Sequence, residues 1–180
     1  MFTRKFIAPA LAAAALALSA VPASAALFQG ALSFSGDIGL TSCDTLASID
    51  ALSFINDDFD VDGAEGDFAA AGIGQGDLGA ITDFDFALST VDGTTLSIND
   101  IDFTLTSVEV LFQSTAFLLI QGTGFITATG FDQTAADFVL TANTNGQLEV
   151  MSGSISAVPV PGALWLMGSA LVALGARRRK

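Results

Sequence analysis

The chain has 180 residues and a formal net charge of −13, from 19 acidic and six basic side chains with no histidine. All six basic residues lie at the two ends (Arg4, Lys5, Arg177, Arg178, Arg179 and Lys180), so the segment between them sets 16 Asp and three Glu against no cation, a formal charge of −19. That composition excludes Ser-His-Asp and Cys-His nucleophiles, histidine-based zinc sites and phosphate cradles that need Lys or Arg, and its field repels nucleic acid.

Residues 1–25 read as a signal peptide. Arg4 and Lys5 precede an apolar run, Phe6 to Leu18, that is short for a bilayer span, and Ala23-Ser24-Ala25 is a small-x-small cleavage site. Cleavage is predicted after Ala25.

Residues 26–157 are enough for one acidic domain with a core. Its pattern is period-two. Phe28, Gly30, Leu32 and Phe34 share one parity; Phe84, Phe86 and Leu88 alternate with Asp83, Asp85 and Ala87; Ile101, Phe103 and Leu105 alternate with Asp102, Thr104 and Thr106. Val108, Val110 and Phe112 continue after a shift of one residue, which predicts a bulge near Ser107. Phe117 to Ile120, Phe125 to Thr129, Phe138 to Ala142 and Gln147 to Ser156 complete the strands, with Asn145-Gly146 as a hairpin turn between the last two. Helix signals are confined to short turns at Ala47 to Leu52 and Ala69 to Ala71. The expected fold is all-β, an antiparallel β-sandwich or partly closed barrel, and the 13 Phe residues of this segment are expected in its core. Ile81 to Thr90 echoes Ile98 to Ser107 with five of ten positions identical, as two similar strands that are neighbours in one sheet would.

Chemistry is sparse. Cys43, the single cysteine, has no basic neighbour to activate it and reads as a small apolar residue. Gly72 to Gly79 reads as a loop. Asp58-Phe59-Asp60-Val61-Asp62-Gly63 matches the opening of a calcium loop, where oxygens at alternate positions converge on a hard cation. Position twelve of that loop is Ala69, so Asp57, Glu65 or Asp67 would have to substitute, and Asp67 is the one nominated to complete a Ca²⁺ site with Asp58, Asp60 and Asp62; the competing reading is a solvated acidic loop. Paired carboxylates alone also allow a glycoside hydrolase, but the segment has neither Tyr nor Trp to hold a sugar; the sole Trp, Trp165, lies in the tail.

The tail, residues 158–180, contains the uncharged stretch Val158 to Ala176, then Arg177, Arg178, Arg179 and Lys180. A transmembrane helix is predicted over 162–176, with the basic end cytoplasmic. Pro159-Val160-Pro161 directly before the apolar stretch, together with that basic stop, resembles the PEP-CTERM sorting signal, in a variant with Val160 in place of Glu. The resemblance implies processing near Pro159-Val160-Pro161 by an exosortase, a membrane enzyme, in a host that makes exopolysaccharide. The chain is therefore expected to be exported, to pass through a membrane-anchored intermediate, and to reach the cell surface or extracellular matrix. There it is expected to act as a non-enzymatic protein, with Ca²⁺ bridging to exopolysaccharide as one option and a glycan-binding or adhesion module as the alternative.

Overall fold

The computed structural model describes residues 25–40, 45–87, 93, 95–144, 149–158 and 167. Cys43, Ala23, the predicted helix 162–176 and the motif residues Pro159, Val160, Pro161, Arg177, Arg178 and Arg179 lie outside the described residues. Among the described residues no helix is long and apolar enough to cross a membrane.

The described residues form twelve strands in order: β1 (Ala26–Leu27), β2 (Ala31–Gly39), β3 (Ala51–Phe54), β4 (Asp58–Ala64), β5 (Leu78–Ile81), β6 (Phe84–Asp85), β7 (Thr95–Ile98), β8 (Ile101–Gln113), β9 (Phe117–Ala128), β10 (Phe131–Asp132), β11 (Thr134–Thr144) and β12 (Glu149–Ala157). A 3-10 turn covers Ile55–Asp57, and α1 is the single helical turn Asp67–Ala70. Eight of the strands pair in sequence order, β2-β4-β5-β7-β8-β9-β11-β12, and β12 returns to pair with β2 along Ala31 to Asp37. All eight contacts are antiparallel. The all-β expectation holds, but neither a sandwich nor a partly closed sheet is formed: the structure is a closed up-and-down barrel, which leaves those eight strands joined in a ring.

The alternating residues explain the closure. Leu32 and Phe34 of β2, Phe59 and Val61 of β4, Phe103 and Leu105 of β8, Leu118 and Ile120 of β9, Phe138 and Leu140 of β11, and Met151 and Ile155 of β12 are all buried. Four rings run through the centre: Phe59 to Phe34 at 5.0 Å between centroids, Phe34 to Phe138 at 6.4 Å, and Phe138 to Phe103 at 5.8 Å. Cross-strand glycines give them room. Gly153 pairs with Phe34 and Gly79 with Phe59, and a Cβ at either glycine would strike the ring, at 2.7 Å from Phe34 Cε2 and 2.6 Å from Phe59 Cε1. Large rings laid over glycine are how a narrow barrel is filled without voids.

The two ends are plugged differently. At the terminal end, where β2 begins and β12 finishes, Phe28 packs edge-on against Phe68 of α1 (4.8 Å) and against Phe131 (5.1 Å). Gly66, at φ 64°, lets the chain before α1 lie against Gly30, where a Cβ would be 2.7 Å from the Gly30 Cα. At the far end β3 pairs with the tail of β2 and β6 with β3, and Phe54 and Phe84 carry the aromatic core outward to Phe138.

Several expectations change. The bulge near Ser107 is present, as a register shift between Leu105 and Ser107, and a second shift falls between Val110 and Phe112. Of the strand expected over Phe84, Phe86 and Leu88, Phe84–Asp85 form β6 and Phe86 lies beyond it, while Leu88 is outside the described residues. The two echoing segments are not neighbouring strands: β6 pairs with β3, whereas β8 lies between β7 and β9. Nine of the 13 Phe residues are buried, but Phe112 and Phe125 are exposed on the outer wall and Phe117 and Phe131 are half-buried. The turn Asn145-Gly146 lies outside the described residues, and its flanks pair as a hairpin requires, with Thr144 opposite Glu149.

Candidate functional site

Asp58, Asp60 and Asp62 do not form a loop. They are the first, third and fifth residues of β4, with Phe59 and Val61 turned into the barrel between them. The burial of Phe59 under Phe34 and against Gly79 extends the segment, and the pleat then puts the three carboxylates in one outward row. Alternate residues of a strand stand about 7 Å apart, too far for three carboxylates to close round one ion that needs oxygens at about 2.3–2.6 Å. Among the described residues no group of three or more carboxylates or thiols is gathered closely enough to hold a metal ion.

Asp67 is separate from this row. It opens α1 at the terminal end, and its Oδ2 accepts the Gln29 N–H at 2.7 Å. Asp62 Oδ1 accepts the Ser35 hydroxyl at 3.0 Å. Asp58 and Asp60 instead share a shallow groove of about 250 Å³ with Asp37, Ser35, Met151 and Ser152. Asp37 was not among the residues nominated from the sequence; pairing of β2 with β4 and β12 brings it there.

With no cation in the barrel, other carboxylates fasten loops by accepting from amides and hydroxyls. Asp83 takes the Ser53 hydroxyl (3.0 Å) on one oxygen and the Phe54 N–H (2.8 Å) on the other. Glu149 takes the Leu40 N–H at 2.9 Å, and Asp102 the Ser97 hydroxyl at 2.6 Å. Hydroxyl rows also cross the wall: Ser152 is opposite both Thr141 and Ser35, and Ser154 is opposite Ser33. The alternation Ser152-x-Ser154-x-Ser156 is visible in the sequence, but its partners are not. The cavity of about 350 Å³ at the far end is bounded by Leu40, Ile49, Phe84, Ser53, Asp83 and Asp85.

Both chain ends leave the barrel at the terminal end. Ala25, the residue before the predicted signal cleavage, directly precedes β1, and the Phe28 N–H donates to Thr134 Oγ1 at 2.9 Å. At the other terminus the Val158 N–H donates to Ala135 O at 2.8 Å, and the tail follows.

Residues 157–180 match the PEP-CTERM protein-sorting motif. The motif marks an exported chain that is sorted by an exosortase-type membrane enzyme and reaches the cell surface through a membrane-anchored intermediate. No curated protein and no solved structure matches the chain.

Proposed function

We propose that the exported barrel is a non-enzymatic component of the cell surface or extracellular matrix, associating with exopolysaccharide through Ca²⁺ shared between its outer carboxylates and anionic groups of the polymer. The observation that carries this reading is the filled interior. With Phe34, Phe59, Phe103 and Phe138 stacked along the centre, partners of the barrel meet its wall and its ends. The wall is anionic, and its Asp58-Asp60-Asp62 row is spaced to share ions with a second chain rather than to chelate one alone. Residues 26–158 are expected to co-sediment with the host's polymer in millimolar Ca²⁺ and to be released by a chelator. Replacing Asp58, Asp60 and Asp62 together by Asn should reduce the bound fraction severalfold. Binding that ignores both the chelator and the substitutions refutes the bridge.

A second reading, a glycan-binding or adhesion module, is favoured by the far-end cavity, where the apolar Leu40, Ile49 and Phe84 adjoin Ser53, Asp83 and Asp85. An apolar floor beside carboxylate acceptors suits a sugar ring and its hydroxyls. Binding of one defined glycan, insensitive to chelation and lost in Asp85→Ala, would select this reading over the first.

A further inference from the structure

The last barrel strand and the sorting motif share a residue. Ala157 ends β12, is buried, and donates its N–H to Gly30 O at 3.0 Å, while the motif begins at this same Ala157. The next residue, Val158, is still tied to Ala135 O, and Pro159 follows at once. No spacer therefore separates the hydrogen-bonded rim from Pro159-Val160-Pro161, and three residues reach at most about 10 Å however they are extended. A tail held in a membrane brings the terminal end of the barrel, with Asp67, Asp100 and Phe131 round its groove, to face that membrane.

We propose that this terminal rim is the surface that meets the membrane-embedded processing enzyme, and that the closed rim hinders processing until Ala157 and Val158 come away from Gly30 and Ala135. The inference rests on the reading that such an enzyme processes the tail. Enzymes that cut or transfer a peptide take it as an extended segment on both sides of the scissile bond, using its main-chain amides and carbonyls. The amides of residues 157 and 158 are already committed to the barrel wall. Because the rim carries carboxylates and no cation, the enzyme surface opposite it is expected to be neutral or basic.

The test uses the full chain expressed with its processing enzyme, and follows tail loss over time by mass. Ten Gly/Ser residues inserted between Val158 and Pro159 should speed tail loss by about tenfold, the order expected when two backbone hydrogen bonds no longer have to be opened first. Thr134→Val removes the Oγ1 that accepts from Phe28 and donates to Asp132 O, so it loosens the rim without touching the tail and should act in the same direction. The same insertion at the far end, between Ser114 and Thr115, should leave the rate unchanged. A rim insertion that leaves the rate unchanged, or lowers it, overturns the inference while the processing reading stands. A tail retained by every variant overturns both.

Discussion

Replacing Gly153 by Ala adds one methyl group to the inside of a barrel that has no place for it. The new Cβ would lie 2.7 Å from Phe34 Cε2 and 3.0 Å from Cε1, closer still to Cζ. Phe34 cannot swing away, because it is fully buried, with Phe59 at 5.0 Å on one side and Phe138 at 6.4 Å on the other. Overpacking a core of this kind costs about 1–3 kcal/mol, and loss of glycine's chain entropy returns about 0.5–1 kcal/mol. The net expectation is a loss of about 1–2 kcal/mol, which for a domain of this size lowers the thermal midpoint by about 4 °C for each kcal/mol. Gly39→Ala is the control: its nearest neighbours to a new Cβ are Ile55 Cγ1 and Ser53 O, both at 3.9 Å, so it should be neutral or slightly stabilising. Thermal and urea unfolding of residues 26–158 measure both. Adding Phe34→Leu to Gly153→Ala should recover part of the loss, a non-additive result that ties the cost to the one contact. A Gly153→Ala barrel as stable as the parent, or strictly additive double-mutant values, would refute the account of rings seated over glycines.

Gln113 Nε2 donates to Leu46 O at 2.7 Å and Ile49 O at 2.9 Å, pinning the segment after β2 to the end of β8. Gln113→Leu strands both carbonyls and should cost about 1–2 kcal/mol in urea unfolding; an unchanged midpoint would show the pin to be idle. Because the barrel repels itself and has no internal ion pair, its thermal midpoint should rise by several degrees as NaCl goes from about 10 mM to about 0.5 M, where screening shortens the Debye length severalfold. A midpoint that falls over that range would contradict the charge argument.

Much of each strand was legible because it is a local property. The inward residues of β8 and β9 follow the two-residue period, and the shift of parity after Leu105 appears in the chain as a bulge. The same period contains the outward placement of Phe125, which shares its parity with Thr123 and Thr127, whereas Gly122, Gly124 and Ile126 face inward. Treating every phenylalanine of the strands as core hid this. The Asp58 to Gly63 segment reads as a loop but folds as a strand for the opposite reason. Asp is depleted in strands and its spacing here is that of a cation loop, yet Phe59 and Val61 gain more by entering the barrel than the intervening carboxylates lose by pointing to water. Asn99, at φ 52°, turns β7 directly into β8 between Ile98 and Ile101, in the left-handed conformation that Asn tolerates.

The linear order of residues by itself determined an all-β body ahead of a sorting tail, the confinement of every cation to the two ends of the chain, and the motif that marks the chain for sorting. Only the tertiary structure decided that β12 returns to β2, that Gly153 and Gly79 lie under Phe34 and Phe59, and that both chain ends leave by the same rim. Alternation is set by the pleat within a few residues, whereas closure is the sum of twist and stagger across eight strands, a quantity no single segment carries.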